Sequence, residues 1–198
     1  RCALRQAGSL PLNLSWLPES LRSERATGAD RVGGIMGILQ ETSPEMRGAR
    51  LRELLGRLPA ECQTVEPRYQ VLTADELRAL AADPLITIGA HTHSHAVLSV
   101  CTDAVAESEI TANVAALSEL LGEAPRYLAY PRGRSGDYCA RDKALLQRLG
   151  FEAAVTTVTR QNAPGDETMA LGRIPLGTGG VEKFAWAIDV HSRSLCRR

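Results

Sequence analysis

The sequence lacks a charge imbalance, and this absence excludes one class of partner. Lysine plus arginine amount to 23 residues and aspartate plus glutamate to 23, so the formal net charge is zero. Only 4% of the residues are aromatic, and no basic stripe with interleaved aromatic side chains occurs. Proteins that bind nucleic acid present such a surface to the phosphates. We therefore expect no nucleic-acid partner.

Long apolar runs are also missing. A helix that spans a bilayer needs about 18 to 20 consecutive apolar residues, and the longest candidates here are interrupted by glycine and charge. The first twenty residues carry arginines but neither a long apolar core nor a clear A-x-A cleavage site, so no signal peptide is predicted. We expect no transmembrane segment. With 198 residues, 44% of them hydrophobic, the chain is long enough for one globular domain with a substantial core.

The cysteines are not spaced like those of a disulfide framework or a zinc site. The five cysteines are Cys2, Cys62, Cys101, Cys139 and Cys196, an odd number of widely separated residues with no C-x-x-C arrangement. Such spacing favours neither a set of disulfides nor a thiolate zinc site. It fits a cytoplasmic, reducing compartment slightly better than a secreted or periplasmic one, and the location stays open.

Residues 1–72 form a poorly defined N-terminal segment in this interpretation. The part before residue 45 is rich in Gly, Ser, Pro and Arg and has little periodicity. A helix is predicted near 45–58, because apolar residues recur there at helical spacing until Pro59 ends the run. The ordered domain is expected to occupy residues 73–198.

Helices and strands alternate after residue 73. Thr73 and Glu76 form a capping box that predicts a helix, which Pro84 ends. The pattern then predicts strands at 85–90, 126–131, 151–159 and 171–176, with helices at 103–121, 138–150 and around Val181, Phe184, Ala185 and Ile188. The helix at 103–121 is expected to end at Gly122 and to have one apolar face, formed by Ile110, Val114, Leu117 and Leu121. This alternation indicates an α/β fold with a parallel sheet or barrel. Its functional residues are expected at the C-terminal ends of the strands.

Three histidines lie within five residues of the stretch ITIGAHTHSHAVLS at 86–99. If the strand continued through them, its period of two would place His91, His93 and His95 on one face. If the chain turns helical after Ala90, His91 and His95 form an i, i+4 pair and His93 points away. The β-branched residues and the small residues before the histidines favour the second geometry. Two neutral imidazoles about one helical turn apart can share a divalent ion.

Two stretches share their order and spacing with motifs of a known family. IGAHTHSHAVLS fits H-[ST]-x-x-H, with Thr92 at the hydroxyl position. YLAYPRGRSGDY fits a motif written F-A-Y-P-Y-G in one branch, with Arg132 in place of the second tyrosine, and LGFEAAVTT fits the strand that follows. These stretches resemble the polysaccharide deacetylases of the NodB-homology type. The similarity covers roughly residues 73–176.

The resemblance implies a distorted (β/α) barrel of the polysaccharide deacetylase type, incomplete at the N-terminus. It also implies a divalent metal, zinc first among the candidates, with His91 and His95 as ligands. In such a site the metal polarises an acetyl carbonyl, a carboxylate acts as general base, and a backbone N–H stabilises the oxyanion. Tyr130 and Arg132 are the predicted catalytic positions, with the oxyanion donor near Arg132. The AYPRG turn is expected beside the two histidines.

The sequence departs from the family at two places. The first motif, T-F-D-D-G, supplies a general base and a metal-binding Asp, and no two adjacent aspartates occur here. This motif is expected upstream of Arg1 in a longer protein, unless the domain is degenerate or a carboxylate such as Asp137 or Asp83 replaces it. Asp30 follows no strand. The family's late catalytic histidine also has no evident counterpart, since His191 lies on or beyond a terminal helix.

Two classes of function follow. The first is a metal-dependent hydrolase that removes N-acetyl or similar acyl groups from a polysaccharide or an amino sugar, with this chain carrying the His–His half of the metal site. The alternative is a catalytically inactive carbohydrate-binding protein that kept the scaffold. Both have a carbohydrate as partner. The sugar itself is not readable from the sequence, because barrel specificity lies in loops.

Overall fold

The computed structural model of the chain describes residues 12–23, 28–63, 70–175, 180–182 and 185. Its α-helices are, in chain order, α1 (Glu19–Arg22), α2 (Gly28–Gln40), α3 (Pro44–Arg57), α4 (Ala74–Ala81), α5 (Asp103–Leu121) and α6 (Ala140–Arg148). The strands are β1 (Tyr127–Ala129) and β2 (Ala153–Val155), and short 3-10 helices cover Ala60–Gln63, Leu98–Val100 and Thr168–Ala170. None of the helices in this part of the chain combines the length and apolar composition that a membrane crossing requires.

A short parallel sheet organises the second half of the chain. β1 pairs with β2, and Leu128 lies opposite Ala154. Single parallel bridges extend the sheet on both sides, from Ala90 to Leu128 and from Val155 to Leu171. Four segments therefore run in the same direction, as the alternation of strands and helices predicts, and neighbours in the sheet are also successive along the chain. Their C-terminal ends meet at one edge, where the loops of α/β proteins carry function.

Two predicted strands are reduced to these bridges. The strand predicted at 85–90 contributes Ala90 alone, and the strand predicted at 171–176 contributes Leu171 alone among its described residues. Ile86, whose β-branched side chain suits a short buried strand, is 37% exposed instead. The reason is that no described segment pairs with 86–90 on the side away from β1. The described residues accordingly form a small open sheet and no barrel, which is consistent with the expectation of a barrel incomplete at the N-terminus.

Local signals determine the ends of α4 and α5. The Glu76 N–H donates to the Thr73 hydroxyl at 3.3 Å, and the Thr73 N–H donates to the Glu76 carboxylate at 2.7 Å. The predicted capping box is confirmed, and the Thr73 backbone bond holds the pKa of Glu76 below its usual range. α5 ends at Gly122, whose φ of 81° is a left-handed conformation that costs glycine little. The helix predicted around Val181 lies largely outside the described residues.

The sheet and its crossover helices enclose one of two groups of buried side chains. This group, the sheet core, combines side chains of the sheet segments with side chains of α5 and α6. Its members are Ala90, Ala96, Leu98, Cys101, Ala106, Ile110, Leu128, Tyr130, Leu145, Leu146, Phe151, Ala154 and Met169. Val114 and Leu117 pack against it, so the apolar face predicted for α5 is confirmed.

A second group of buried side chains, the helical cluster, lies in the N-terminal part. It consists of Leu12, Leu14, Leu17, Val32, Ile35, Leu39, Leu54, Leu58 and Cys62. The expectation of little regular structure before residue 45 is therefore wrong for α2, which contributes three of these residues. Four glycines in α2 weaken its helical signal, and burial against α3 compensates. The helix predicted near 45–58 is present as α3.

Candidate active site

The histidine loop, residues 91–97, follows Ala90 at the C-terminal edge of the sheet. The ring centroids of His91 and His95 are 4.8 Å apart, and their planes meet at 77°. Both side chains are exposed. His93 is exposed as well, and in the described part of the chain its ring takes part in no such contact. The structure thus brings His91 and His95 together and leaves His93 apart.

Left-handed residues bring the two histidines together. The predicted helical turn after Ala90 is wrong, because residues 91–97 contain no helix and the first 3-10 turn begins at Leu98. Thr92 and His95 both have φ of 59°, a region that residues with a β-carbon rarely adopt. Holding such residues costs about 1–3 kcal/mol each, and strain of this kind is concentrated at functional sites.

Two polar side chains of α5 hold the loop in this conformation. The Glu109 carboxylate, in a residue 8% exposed, accepts hydrogen bonds from the Ser94 N–H at 2.8 Å and the Ser94 hydroxyl at 2.6 Å. The Glu109 carbonyl accepts from the His93 N–H at 2.9 Å, and Asn113 Oδ1 accepts from the His91 N–H at 2.9 Å. Sequence reasoning missed both residues. The readable signal was their i, i+4 spacing, which places them on one face of the helix.

An arginine of α3 reaches the same loop. Arg47 donates to the Ser94 carbonyl at 2.6 Å, to the Ser94 hydroxyl at 2.7 Å and to the His95 carbonyl at 3.1 Å. The planar fork of guanidinium donors suits such a pair of neighbouring carbonyls. These bonds connect the N-terminal helices to the histidines. No local pattern in the sequence indicates a contact between residues so far apart in the chain.

The orientation of His91 fits a metal ligand. Its Nδ1 lies 2.6 Å from the Ala129 carbonyl oxygen. Because a carbonyl only accepts, Nδ1 carries the proton, and coordination would use Nε2, as in many metal sites. Together with His95 it would supply two of the four ligands that a typical zinc site requires. The described residues contain no group of three or more His, Cys, Asp or Glu side chains that could hold an ion, so the donor set fits a divalent metal in part.

The Tyr130 side chain belongs to the sheet core. Tyr130 is 1% exposed, its hydroxyl donates to the Met169 carbonyl at 2.9 Å, and its ring stacks on Tyr138 with centroids 4.2 Å apart. Burial, and then the charge of Asp142, raises the pKa of the phenol above its usual range. The Tyr130 N–H donates to the Val155 carbonyl at 3.1 Å. Its polar groups are therefore engaged within the protein.

The turn after β1 presents Arg132 at the sheet edge. Arg132 has φ of 61°, and its carbonyl accepts from the Thr157 hydroxyl at 2.7 Å. Within the described residues the Arg132 N–H makes no hydrogen bond. A β-carbon at Gly133 would lie 2.9 Å from Thr157 N, so the turn requires glycine there. Since the carbonyl of Ala129, the first residue of AYPRG, contacts the His91 ring, the AYPRG turn lies beside the histidine loop, as expected.

The carboxylates considered in the sequence occupy other positions. Asp137 accepts from the Arg134 N–H at 2.9 Å and thereby closes the loop after the AYPRG turn. Asp83 accepts from the Leu85 N–H at 2.9 Å in the turn after α4. Asp30 lies in the first turn of α2. His191 lies outside the described residues.

Two neighbouring hollows lie between α2 and the site. The histidine hollow, of about 510 Å³, is bordered by His95. The arginine groove, of about 530 Å³, is bordered by Arg132 and Arg134. Met36 and Gln40 line both, so the two hollows are adjacent. Each has a volume within the range of small-molecule sites.

The sequence profile of one family covers the elements just described. The profile of the polysaccharide deacetylases matches residues 56–154, half of the chain. The chain belongs to the polysaccharide deacetylase family. The match includes α4, the histidine loop, α5, the AYPRG turn and α6. Among curated proteins, none matches the chain at a significant level.

Solved structures of polysaccharide deacetylases are similar to this chain. PplD, a deacetylase from Streptococcus pyogenes in complex with acetate, is 21% identical, with a TM-score of 0.54 over 61% of this chain and 52% of that one. BC0361, a polysaccharide deacetylase from Bacillus cereus, is 19% identical, with a TM-score of 0.51 over 75% and 49%. IcaB from Ammonifex degensii is 22% identical, with a TM-score of 0.50 over 63% and 57%.

These similarities concern the fold. The chain spans about half the length of the three structures. The small parallel sheet with its crossover helices therefore corresponds to part of the NodB-type deacetylase fold.

Proposed function

We propose that this chain carries the His–His half of the metal centre of a hydrolase that removes N-acetyl or similar acyl groups from a polysaccharide or an amino sugar. The observation that supports this function is the His91–His95 pair, with ring centroids 4.8 Å apart at the C-terminal edge of a parallel sheet. Membership of the polysaccharide deacetylase family supports the reaction type. PplD, which was solved with acetate, binds the product expected of such a reaction.

The chain's own residues have distinct parts in this proposal. His91, oriented by the Ala129 carbonyl, and His95 would hold the ion. At these histidines a bound divalent metal, zinc first among the candidates, would supply Lewis-acid chemistry toward the acyl carbonyl and a water. The Arg132 N–H, which makes no hydrogen bond within the described residues, would donate to the oxyanion. Glu109 and Asn113 position the histidine loop through its backbone.

The metal ligands are tested by histidine substitution, with His93 as the matched control. Cobalt(II) absorption and competition with a chromophoric chelator measure metal binding in the chain and in His91→Ala, His95→Ala and His93→Ala. We expect weak binding by the chain, since two neutral ligands hold an ion poorly. His91→Ala and His95→Ala should each weaken it at least tenfold, given that even groups that only orient ligands contribute about 10 to 100-fold. An equal loss in His93→Ala would show that the three histidines act as one cluster.

The reaction is tested by acetate release from N-acetylglucosamine oligomers with added zinc. We expect little or no turnover by residues 1–198 alone, because the described residues contain no group of three or more His, Cys, Asp or Glu side chains that could hold an ion and because the T-F-D-D-G motif with its general base does not occur in these residues. A version extended upstream is expected to turn over. Comparable turnover by both would contradict the mechanism, and oligomer binding without turnover by either would favour the carbohydrate-binding alternative.

A further inference from the structure

We propose that the arginine groove, between α2 and the turn at 131–137, binds an anionic group of the carbohydrate substrate, either a carboxylate or a phosphate. This inference rests on the proposed function, since it names the chemical class of sugar that the same site accepts. A saccharide with its acyl group at the histidine hollow would place a neighbouring anionic unit in the groove.

The charge of the groove supports an anion. Arg132 and Arg134 line it, and no Asp or Glu is among its lining residues. Arg134 is exposed, and within the described residues its guanidinium makes no hydrogen bond or ion pair. An arginine without a counterion beside a hollow is a ready donor to an incoming anion.

The Arg132 guanidinium is only loosely paired. Its side chain is 21% exposed, and the nearest carboxylate oxygens, on Glu41 and Asp137, both lie 3.6 Å away. The pair of Arg126 with Glu152, by contrast, is 2.7 Å long and hydrogen-bonded. The longer spacing leaves N–H donors of Arg132 for another acceptor. The guanidinium fork matches the geometry of carboxylate and phosphate oxygens.

The opposite wall leaves room for a sugar. Ala29, Gly33 and Gly37 recur at intervals of four along α2 and so share one face. No heavy atom lies within 4 Å of a β-carbon built at Gly33 or Gly37, so this wall is open. Because Met36 and Gln40 line both hollows, one oligosaccharide can reach the histidines and the arginines together.

The test compares oligomers of equal length that differ only in charge. Isothermal titration calorimetry would measure the binding of a neutral N-acetylglucosamine oligomer, of one carrying uronate carboxylates and of one carrying phosphates. We expect at least one anionic oligomer to bind about tenfold more tightly than the neutral one, because charge-assisted hydrogen bonds are stronger than neutral ones. The advantage should shrink as salt screens the charges. The relative affinities of the uronate and phosphate oligomers identify the group.

Substitutions locate the binding to the groove. Arg134→Gln should remove most of the anionic preference, Arg134→Lys should retain part of it, and the double variant of Arg132→Gln with Arg134→Gln should abolish it. Arg57→Gln, which removes an exposed arginine at the end of α3, is the matched control and should leave it unchanged. Far-UV circular dichroism would verify that each variant is folded.

Several outcomes would overturn the proposal. The first is equal affinity for neutral and anionic oligomers, and the second is no measurable binding of either anionic oligomer. The third is a loss of anionic preference in Arg57→Gln equal to the loss in Arg134→Gln. The titration requires neither metal nor turnover, so its failure leaves the proposed deacetylation standing. If the extended protein releases no acetate but still prefers anionic oligomers, the proposed reaction is rejected and the anion site stands.

Discussion

The sheet core and the helical cluster are held together by different interactions. In the sheet core, backbone hydrogen bonds join distant segments, as between Tyr130 N–H and the Val155 carbonyl at 3.1 Å. In the helical cluster, the helices meet mainly through side chains such as Ile35, Leu39 and Leu54. The first arrangement positions backbone groups, which suits a site built from the histidine loop and the Arg132 N–H. The helical cluster supplies the wall of the two hollows that α2 forms. It also supplies the Arg47 side chain, which reaches the histidine loop from α3.

The two regions meet at polar contacts. Arg47 bonds to Ser94 and His95, and Arg132 lies 3.6 Å from Glu41. Among the described residues, no buried side chain belongs to both groups. We therefore expect the helical cluster to open without unfolding the sheet core, as local units of stability do in many proteins.

The largest effect is expected from Leu128→Ala. Leu128 is 1% exposed, and its strand lies between Ala90 and β2. Its truncation leaves a cavity in the sheet core and should lower the free energy of unfolding by about 2–5 kcal/mol. Urea unfolding followed by circular dichroism measures this loss.

Leu54→Ala is the same change in the helical cluster, where Leu54 is also 1% exposed. Hydrogen exchange should become faster in α2 and α3, while the Tyr130 N–H keeps its protection. Faster exchange in both regions would show that the two groups form a single cooperative unit, and the contrast drawn above would fail.

A smaller loss is expected from Glu109→Ala. The change removes the charged acceptor of the partly buried bonds from the Ser94 N–H and hydroxyl and should cost about 1–3 kcal/mol, the range of hydrogen bonds to charged groups. The NMR signals of the His91 and His95 rings should shift as the loop relaxes, and Glu109→Gln should restore part of both properties. Glu107→Ala on the same helix, whose exposed carboxylate pairs with Arg148, is the control. Unchanged ring signals in Glu109→Ala would show that Glu109 does not position the histidines.

Tyr130→Phe tests the sheet core beneath the AYPRG turn. Loss of the hydroxyl leaves the Met169 carbonyl unpaired and should cost about 1 kcal/mol. The pKa of Tyr130 is raised in the folded state by burial, so its contribution is complete below the unfolded pKa of about 10. Above that pH the unfolded state loses the proton first, and the free energy of unfolding should fall. Chemical unfolding between neutral and alkaline pH should show a shallower fall in Tyr130→Phe, and an equal fall in both proteins would contradict this assignment.

The smallest effect is expected from Arg47→Lys. Lysine keeps the charge but lacks the fork that reaches Ser94 and His95 together. We expect a loss of less than about 1 kcal/mol, with a shift of the His95 backbone signals and faster exchange in α3. Arg57→Lys, at the end of the same helix, should change neither. If Arg47→Lys also leaves both unchanged, the bonds from α3 do not position the loop.

The sequence alone determined what depends on neighbouring residues. Thr73 and Glu76 bound the start of α4, Gly122 ended α5, and the spacing of Ile110, Val114 and Leu117 identified its buried face. The order of the parallel segments was also readable, because strand and helix periods alternate along the chain. The pairing of His91 with His95 was predicted as well.

Only the tertiary structure decided how that pairing is achieved. Left-handed residues at Thr92 and His95 take the place of the predicted helical turn, and they persist because Glu109 and Asn113 hold the loop from another helix. The position of α2, weakened by its glycines, is likewise determined by burial against α3. These features depend on which distant segments meet, and the free energy of such contacts is not encoded in local propensity.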